Sequence, residues 1–210
     1  MRIEEGVLMS KHENFWIVTV LRGLLAILIG SAILVVPDMA RTLLFLPFAV
    51  AFVILSLVAF GIADSVLVFI TSFFTSLEPA KVALRLQSAF GVAIGILFCS
   101  MLFDRIRLEW FLYLIALQAF ATACSEFTIA RHTSKHHGSR SSYVAAAVAM
   151  LCAVAYTIVA TIAPTNLTPR EIAILAYTYL AVFGAAQVLM ATRMLYIEHR
   201  AMQLAHAASQ

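Results

Sequence analysis

The stretches Leu21–Asp38, LRGLLAILIGSAILVVPD, and Leu86–Phe103, LQSAFGVAIGILFCSMLF, carry one pattern twice. A shift of 65 residues lays Leu21 on Leu86, Arg22 on Gln87, Gly23 on Ser88, Ala26 on Gly91 and Gly30 on Gly95. Both stretches are continuous apolar runs without the period-two alternation of a barrel strand, and each is close to the roughly 20 residues a helix needs to cross a bilayer. Reading them as membrane helices decides the fold, because similar runs recur from end to end of the 210 residues.

Composition agrees. The chain is 63% hydrophobic and 12% charged, with a mean hydropathy of +0.97, whereas a soluble domain is about 45–50% apolar and about 25% charged. The net charge of +3 is small, and the basic residues sit in short segments between the runs. That distribution argues against nucleic-acid binding, which needs a basic stripe. Cys99, Cys124 and Cys152 lie inside apolar runs without metal-ligand spacing and read as reduced packing residues.

Six spans are expected: Phe15 to Val36, Leu43 to about Ile70, Val82 to Met101, Leu108 to Ala130, Tyr143 to Ala163 and Ile172 to about Ile197. The first is too long for a signal-peptide core and follows an acidic tail, so it reads as retained. Turn residues in PDMAR from Pro37, DRIRLE from Asp104 and PTNLTPRE from Pro164 mark tight connections. They divide one membrane domain, 1–210, into three helical hairpins at about 15–70, 82–130 and 143–197, with tails 1–14 and 198–210. Apolar residues continue from Leu43 to Phe74, so the second run must tilt or end in the interface. Lys and Arg concentrate in the N-tail, second loop, fourth loop and C-terminal region. The positive-inside rule then puts both termini in the cytoplasm.

The matched small residues follow helical spacing. Gly23, Ala26 and Gly30 share one face, Ser88, Gly91 and Gly95 another, and Ala145, Ala149 and Ala153 repeat the four-residue interval on the fifth span. Such faces let helix backbones approach closely, which predicts that the odd-numbered spans form the packed interior. The even-numbered spans repeat as AFGIAD ending at Asp64, AFATAC at Cys124 and VFGAAQ at Gln187, with Phe60, Phe120 and Phe183 in register.

These pieces resemble the HdeD-like family of small bacterial membrane proteins. The resemblance rests on RGLLAILIGSAILVVP, with its Arg-Gly start, second glycine and terminal proline, and on the FG-then-polar pattern of FGIAD and FGAAQ, within residues 15 to 197. It implies a six-span protein of the inner membrane associated with acid-stress resistance, a non-enzymatic role in stress protection or as an accessory subunit, and no catalytic residues.

Depth gives the polar positions meaning. Arg22 lies seven residues into the first span and Asp64 about six residues before the same-side end of the second, so the two share a height at a rise of 1.5 Å per residue. A lone charge in hydrocarbon costs at least about 2.5–3.5 kcal/mol, which makes Asp64, or next Glu126, the expected partner of Arg22. Arg22, Asp64, Gln87, Glu126 and Gln187 form a predicted polar layer in the cytoplasmic half. It reads as a clasp fixing helix register, as a proton or ion relay or ligand pocket, or as separate charges snorkelling to the headgroups.

Other chemistry has little footing. The fourth loop holds His132, His136 and His137 beside Lys135 and Arg140, which reads as a solvated basic segment contacting anionic lipid, with a pH-responsive role as the alternative and a metal site less favoured. There is no HExxH, GxSxG, P-loop or GxGxxG motif, so neither an enzyme nor a cofactor is expected. Trp16 and Trp110 read as interfacial anchors. Membrane lipids, a protein partner in a larger membrane complex and a second copy of the chain are the partners this leaves. Pro37, Pro47, Pro79, Pro164 and Pro169 cluster at span ends, which favours a rigid bundle over the broken helices of a transporter. A small channel or transporter using the polar layer is the alternative.

Overall fold

The computed structural model describes residues 15–40, 46–75, 78–103, 110–132, 139–162 and 168–208. They form six helices: α1 Phe15–Ala40, α2 Leu46–Phe74, α3 Glu78–Met101, α4 Phe111–His132, α5 Ser139–Ile162 and α6 Pro169–Ala208. No strand occurs among the described residues. All six are long and apolar enough to cross a membrane, and the chain is an all-helical, multi-pass membrane protein. In hydrocarbon only a helix satisfies its own backbone groups within one segment. Hydroxyls inside the spans return to the helix in the same way: Ser31, Thr71 and Thr178 each donate to the carbonyl four residues earlier, at 2.7–2.8 Å.

Several boundaries differ from the sequence reading. PDMAR is not wholly a turn, because α1 continues through Pro37 to Ala40. One unbroken helix takes the long second run to Phe74, and Pro79 sits in the first turn of α3, where its missing N–H costs no helical bond. The last helix passes residue 197 and runs to Ala208, about 60 Å at 1.5 Å per residue. Its start is set by a capping box within PTNLTPRE: Thr168 Oγ1 accepts from the Glu171 N–H at 3.3 Å, and Glu171 accepts from the Thr168 N–H at 2.7 Å. The tail 1–14, His136 and His137 lie outside the described residues.

The tightest pairs are α2 with α3, α4 with α5, and α6 with α1. The hairpin reading is not confirmed by this packing: α1–α2, α3–α4 and α5–α6 are in contact but pack less extensively. The link between Phe74 and Glu78 is the shortest in the chain, so the closest turn joins two expected hairpins instead of closing one. The return of α6 onto α1 brings the two ends of the chain's helical path together.

Small residues explain the pairing. A Cβ on Gly23 would stand 2.8 Å from the Gly184 carbonyl oxygen, and one on Gly30 would stand 3.2 Å from Leu180 Cβ, so the small face of α1 lies on α6. The small face of α3 lies on α2, where a Cβ at Gly95 would meet Ile62 and one at Gly91 would meet Ser65. Ala145, Ala149 and Ala153 are buried on α5. The expectation that odd-numbered spans form the interior fails: 61% of the α4 span is buried, against 33% of α1 and 28% of α5. Small faces need only one close neighbour, and their opposite sides carry Leu21, Leu28, Ile96 and Leu151 toward lipid.

Candidate functional site: a buried polar layer

All five residues of the expected polar layer are buried, each at most 5% exposed. Arg22 of α1 meets Asp64 of α2, its Nε donating to Oδ1 at 2.6 Å and its Nη2 to Oδ2 at 3.2 Å. This two-point geometry suits a guanidinium and a carboxylate. The Arg22 Cζ also stands 5.6 Å from the centre of the Phe183 ring, where the ring's negative face adds attraction. Phe183 meets Phe60 edge-on at 5.9 Å, so an aromatic floor from α2 and α6 underlies the ion pair.

Gln87 belongs to a separate network. Ser125 Oγ donates to Gln87 Oε1 at 2.6 Å, and Gln87 Nε2 donates to Thr122 Oγ1 at 3.3 Å, tying α3 to α4. Ser88 Oγ donates to the Ser65 carbonyl at 2.8 Å, tying α3 to α2. The Arg22/Gln87 difference between the two copies thus follows from partners. Arg22 faces a carboxylate, whereas Gln87 faces two hydroxyls that a neutral amide satisfies from both its ends.

Glu126 of α4 and Gln187 of α6 form the third part. Both are buried, and Glu126 Oε2 and Gln187 Oε1 have no hydrogen-bond partner among the described residues. Glu126 is close enough to feel the charges of Arg22 and Asp64. The layer therefore holds two carboxylates and one guanidinium. The titratable groups that influence Glu126 are Arg22 from α1 and Asp64 from α2. From α3 comes the neutral Gln87, and the part of α5 facing α4 and α6 supplies alanines and Cys152.

The even-span repeat needs a correction at α4. Phe60 and Phe183 are buried, but Phe120 is 48% exposed and Cys124 is exposed. Two residues farther along, Thr122 and Glu126 point inward instead. At about 100° per residue, a two-residue slip turns a side chain to nearly the opposite face. The register AFGIAD/AFATAC is therefore a likeness of letters and not of positions.

Two small cavities lie beside this layer. One, of about 10 Å³, opens among α4, α5 and α6, bordered by Thr122, Ala149, Tyr179 and Gln187. The other, of about 20 Å³, opens among α2, α3, α4 and α6, bordered by Gly61, Gly91, Gln118 and Tyr179. Four buried polar atoms have no hydrogen-bond partner among the described residues: Gln118 Oε1, Glu126 Oε2, Tyr179 Oη and Gln187 Oε1. An unmet buried polar group costs about 1–3 kcal/mol. Gln118 and Tyr179 escaped the sequence reading, although Gln118 repeats the inward spacing of Thr122 and Glu126, and Tyr179 that of Phe183 and Gln187.

Among the described residues no group of three or more His, Cys, Asp and Glu side chains is gathered as a metal site would require. No protein-family model matches the chain, and no curated protein or solved structure is significantly similar to it.

Proposed function

We propose that this chain is a non-enzymatic inner-membrane protein of the HdeD-like kind, with both termini cytoplasmic, that protects the membrane against acid stress through a proton-responsive clasp. The observation carrying this reading is the charge balance of the buried layer, in which two carboxylates, Asp64 and Glu126, accompany one guanidinium that pairs with Asp64. With all three ionised the layer carries one excess negative charge away from water, an expensive arrangement in low dielectric. Taking up one proton neutralises it. The proton passes from a hydronium ion to Glu126 Oε2, the oxygen without a partner; the carboxylic O–H forms and a water is released. Arg22–Asp64 keeps its geometry throughout and holds α1 to α2, while Glu126 on α4 senses the change. The channel alternative is less well supported, since the cavities beside the layer are of water size and not of substrate size.

The test is survival of a bacterial host expressing the wild type or Glu126→Gln after acid challenge, with equal membrane insertion verified. Wild type should protect and the variant should not. Equal protection would remove Glu126 from the mechanism.

A further inference from the structure

The four unpartnered atoms are not scattered. Gln118, Thr122 and Glu126 recur every four residues on the inner face of α4, and Tyr179, Phe183 and Gln187 do the same on α6. Each residue carrying an unpartnered atom is at least nine-tenths buried: Gln118 is 7% exposed, Glu126 and Tyr179 4%, and Gln187 2%. Tyr179 borders both cavities, Gln187 borders the first and Gln118 the second. Each of these two cavities is thus flanked by two of the residues whose polar atoms lack partners among the described residues.

The chemistry of these linings selects the guest. Neither cavity is bordered by a carboxylate, and apart from the amides and hydroxyls their walls are apolar, so nothing there replaces the hydration shell of a metal cation. Each has room for about one water, which needs roughly 10–15 Å³ and two to four polar partners. Small residues keep the space open: Ala149 at the first cavity, and Gly91 at the second, where an added Cβ would meet Ser65 Oγ and come 3.5 Å from Gln118 Nε2.

We propose that these cavities are two internal water sites, one bridging Gln118 Oε1 to Tyr179 Oη and one bridging Tyr179 Oη to Gln187 Oε1. Tyr179 donates its single O–H to one water and accepts from the other. The resulting hydrogen-bonded column runs from Gln118 through Tyr179 to Gln187 of the polar layer, and it hydrates the layer from within. Its role in proton uptake rests on the reading of Glu126 given above; the water sites themselves do not.

Radiolytic hydroxyl labelling of the full-length protein in lipid nanodiscs, read by peptide mass spectrometry, tests the column, because radicals formed from an ordered water label the side chain beside it. Tyr179 should be labelled severalfold faster than Phe111, which is also buried but borders neither cavity. Phe183 reports the first cavity and Phe98 the second. Ala149→Leu, which fills the first cavity, should suppress labelling at Phe183 and leave Phe98 unchanged; Ala119→Val serves the same purpose if that variant does not fold. Labelling of Tyr179 no faster than Phe111, or a pattern indifferent to both substitutions, would overturn the proposal. Glu126→Gln retaining the wild-type pattern while losing acid protection supports both readings. Retained labelling with acid protection also retained would leave the waters in place and remove the acid role alone.

Discussion

Gly23 and Gly184 meet where α1 crosses α6, each so close that a Cβ on either would stand 2.7–2.8 Å from the other's carbonyl oxygen. No side chain fits there without moving a backbone. Gly184→Ala should therefore destabilise the bundle by about 1–3 kcal/mol, as overpacking does. Gly61→Ala is the control: its nearest neighbour would be 3.7 Å away, and its effect should stay under about 1 kcal/mol. Thermal unfolding of the two variants in detergent gives the comparison, and equal midpoints would refute the close crossing.

The ion pair should behave as a unit. Arg22→Leu leaves Asp64 without its cation and should cost about 3–5 kcal/mol, as breaking one side of a buried pair does. Arg22→Leu with Asp64→Leu removes both buried charges of the pair and should be more stable than Arg22→Leu alone. If the double variant is no better folded than either single one, the two residues are not coupled.

Gln87 should matter less. Its loss in Gln87→Leu strands the hydroxyls of Thr122 and Ser125, which can turn back to carbonyls of their own helix at 3.0 and 2.9 Å. Interhelical hydrogen bonds of this kind contribute about 0.6 kcal/mol, at most about 1.7, in a membrane. A cost for Gln87→Leu as large as that for Arg22→Leu would contradict the division of the layer into charged and neutral networks.

Thr168→Ala removes the cap of α6 and should cost about 1 kcal/mol. Hydrogen exchange should show the loss as faster exchange confined to the first turn after Pro169. Uniform loosening of the whole helix would mean that the capping box is not an end effect.

The extent to which the sequence is readable follows from what each signal encodes. Six spans are legible because a continuous apolar run has one stable form in lipid. The common height of Arg22 and Asp64 is legible because helix rise is fixed and both can be counted from span ends. Partner choice is not legible in the same way: a small face announces that something approaches closely, but Gly23 and Gly184 had to be brought together by the fold to show that α1 lies on α6. The α4 register failed because Phe120 and Cys124 match Phe60 and Asp64 by letter, while rotation of the helix presents Thr122 and Glu126. Gln118 and Tyr179 were missed because a single polar residue in an apolar run shows its lack of a partner only in three dimensions. The TPRE box at Thr168, by contrast, is legible in the sequence, because a Thr followed three residues later by a Glu marks a helix start.

The central claim, that Glu126 takes up a proton in the buried layer, is tested most directly by infrared difference spectroscopy of the protein in lipid as the pH is lowered. The account predicts a high-frequency carboxylic C=O component, that of a buried carboxyl and separate from the band of the exposed acids, which grows with acid in the wild type, persists in Gln87→Leu and is missing in Glu126→Gln. A spectrum with no such band, or one unchanged by Glu126→Gln, would contradict it.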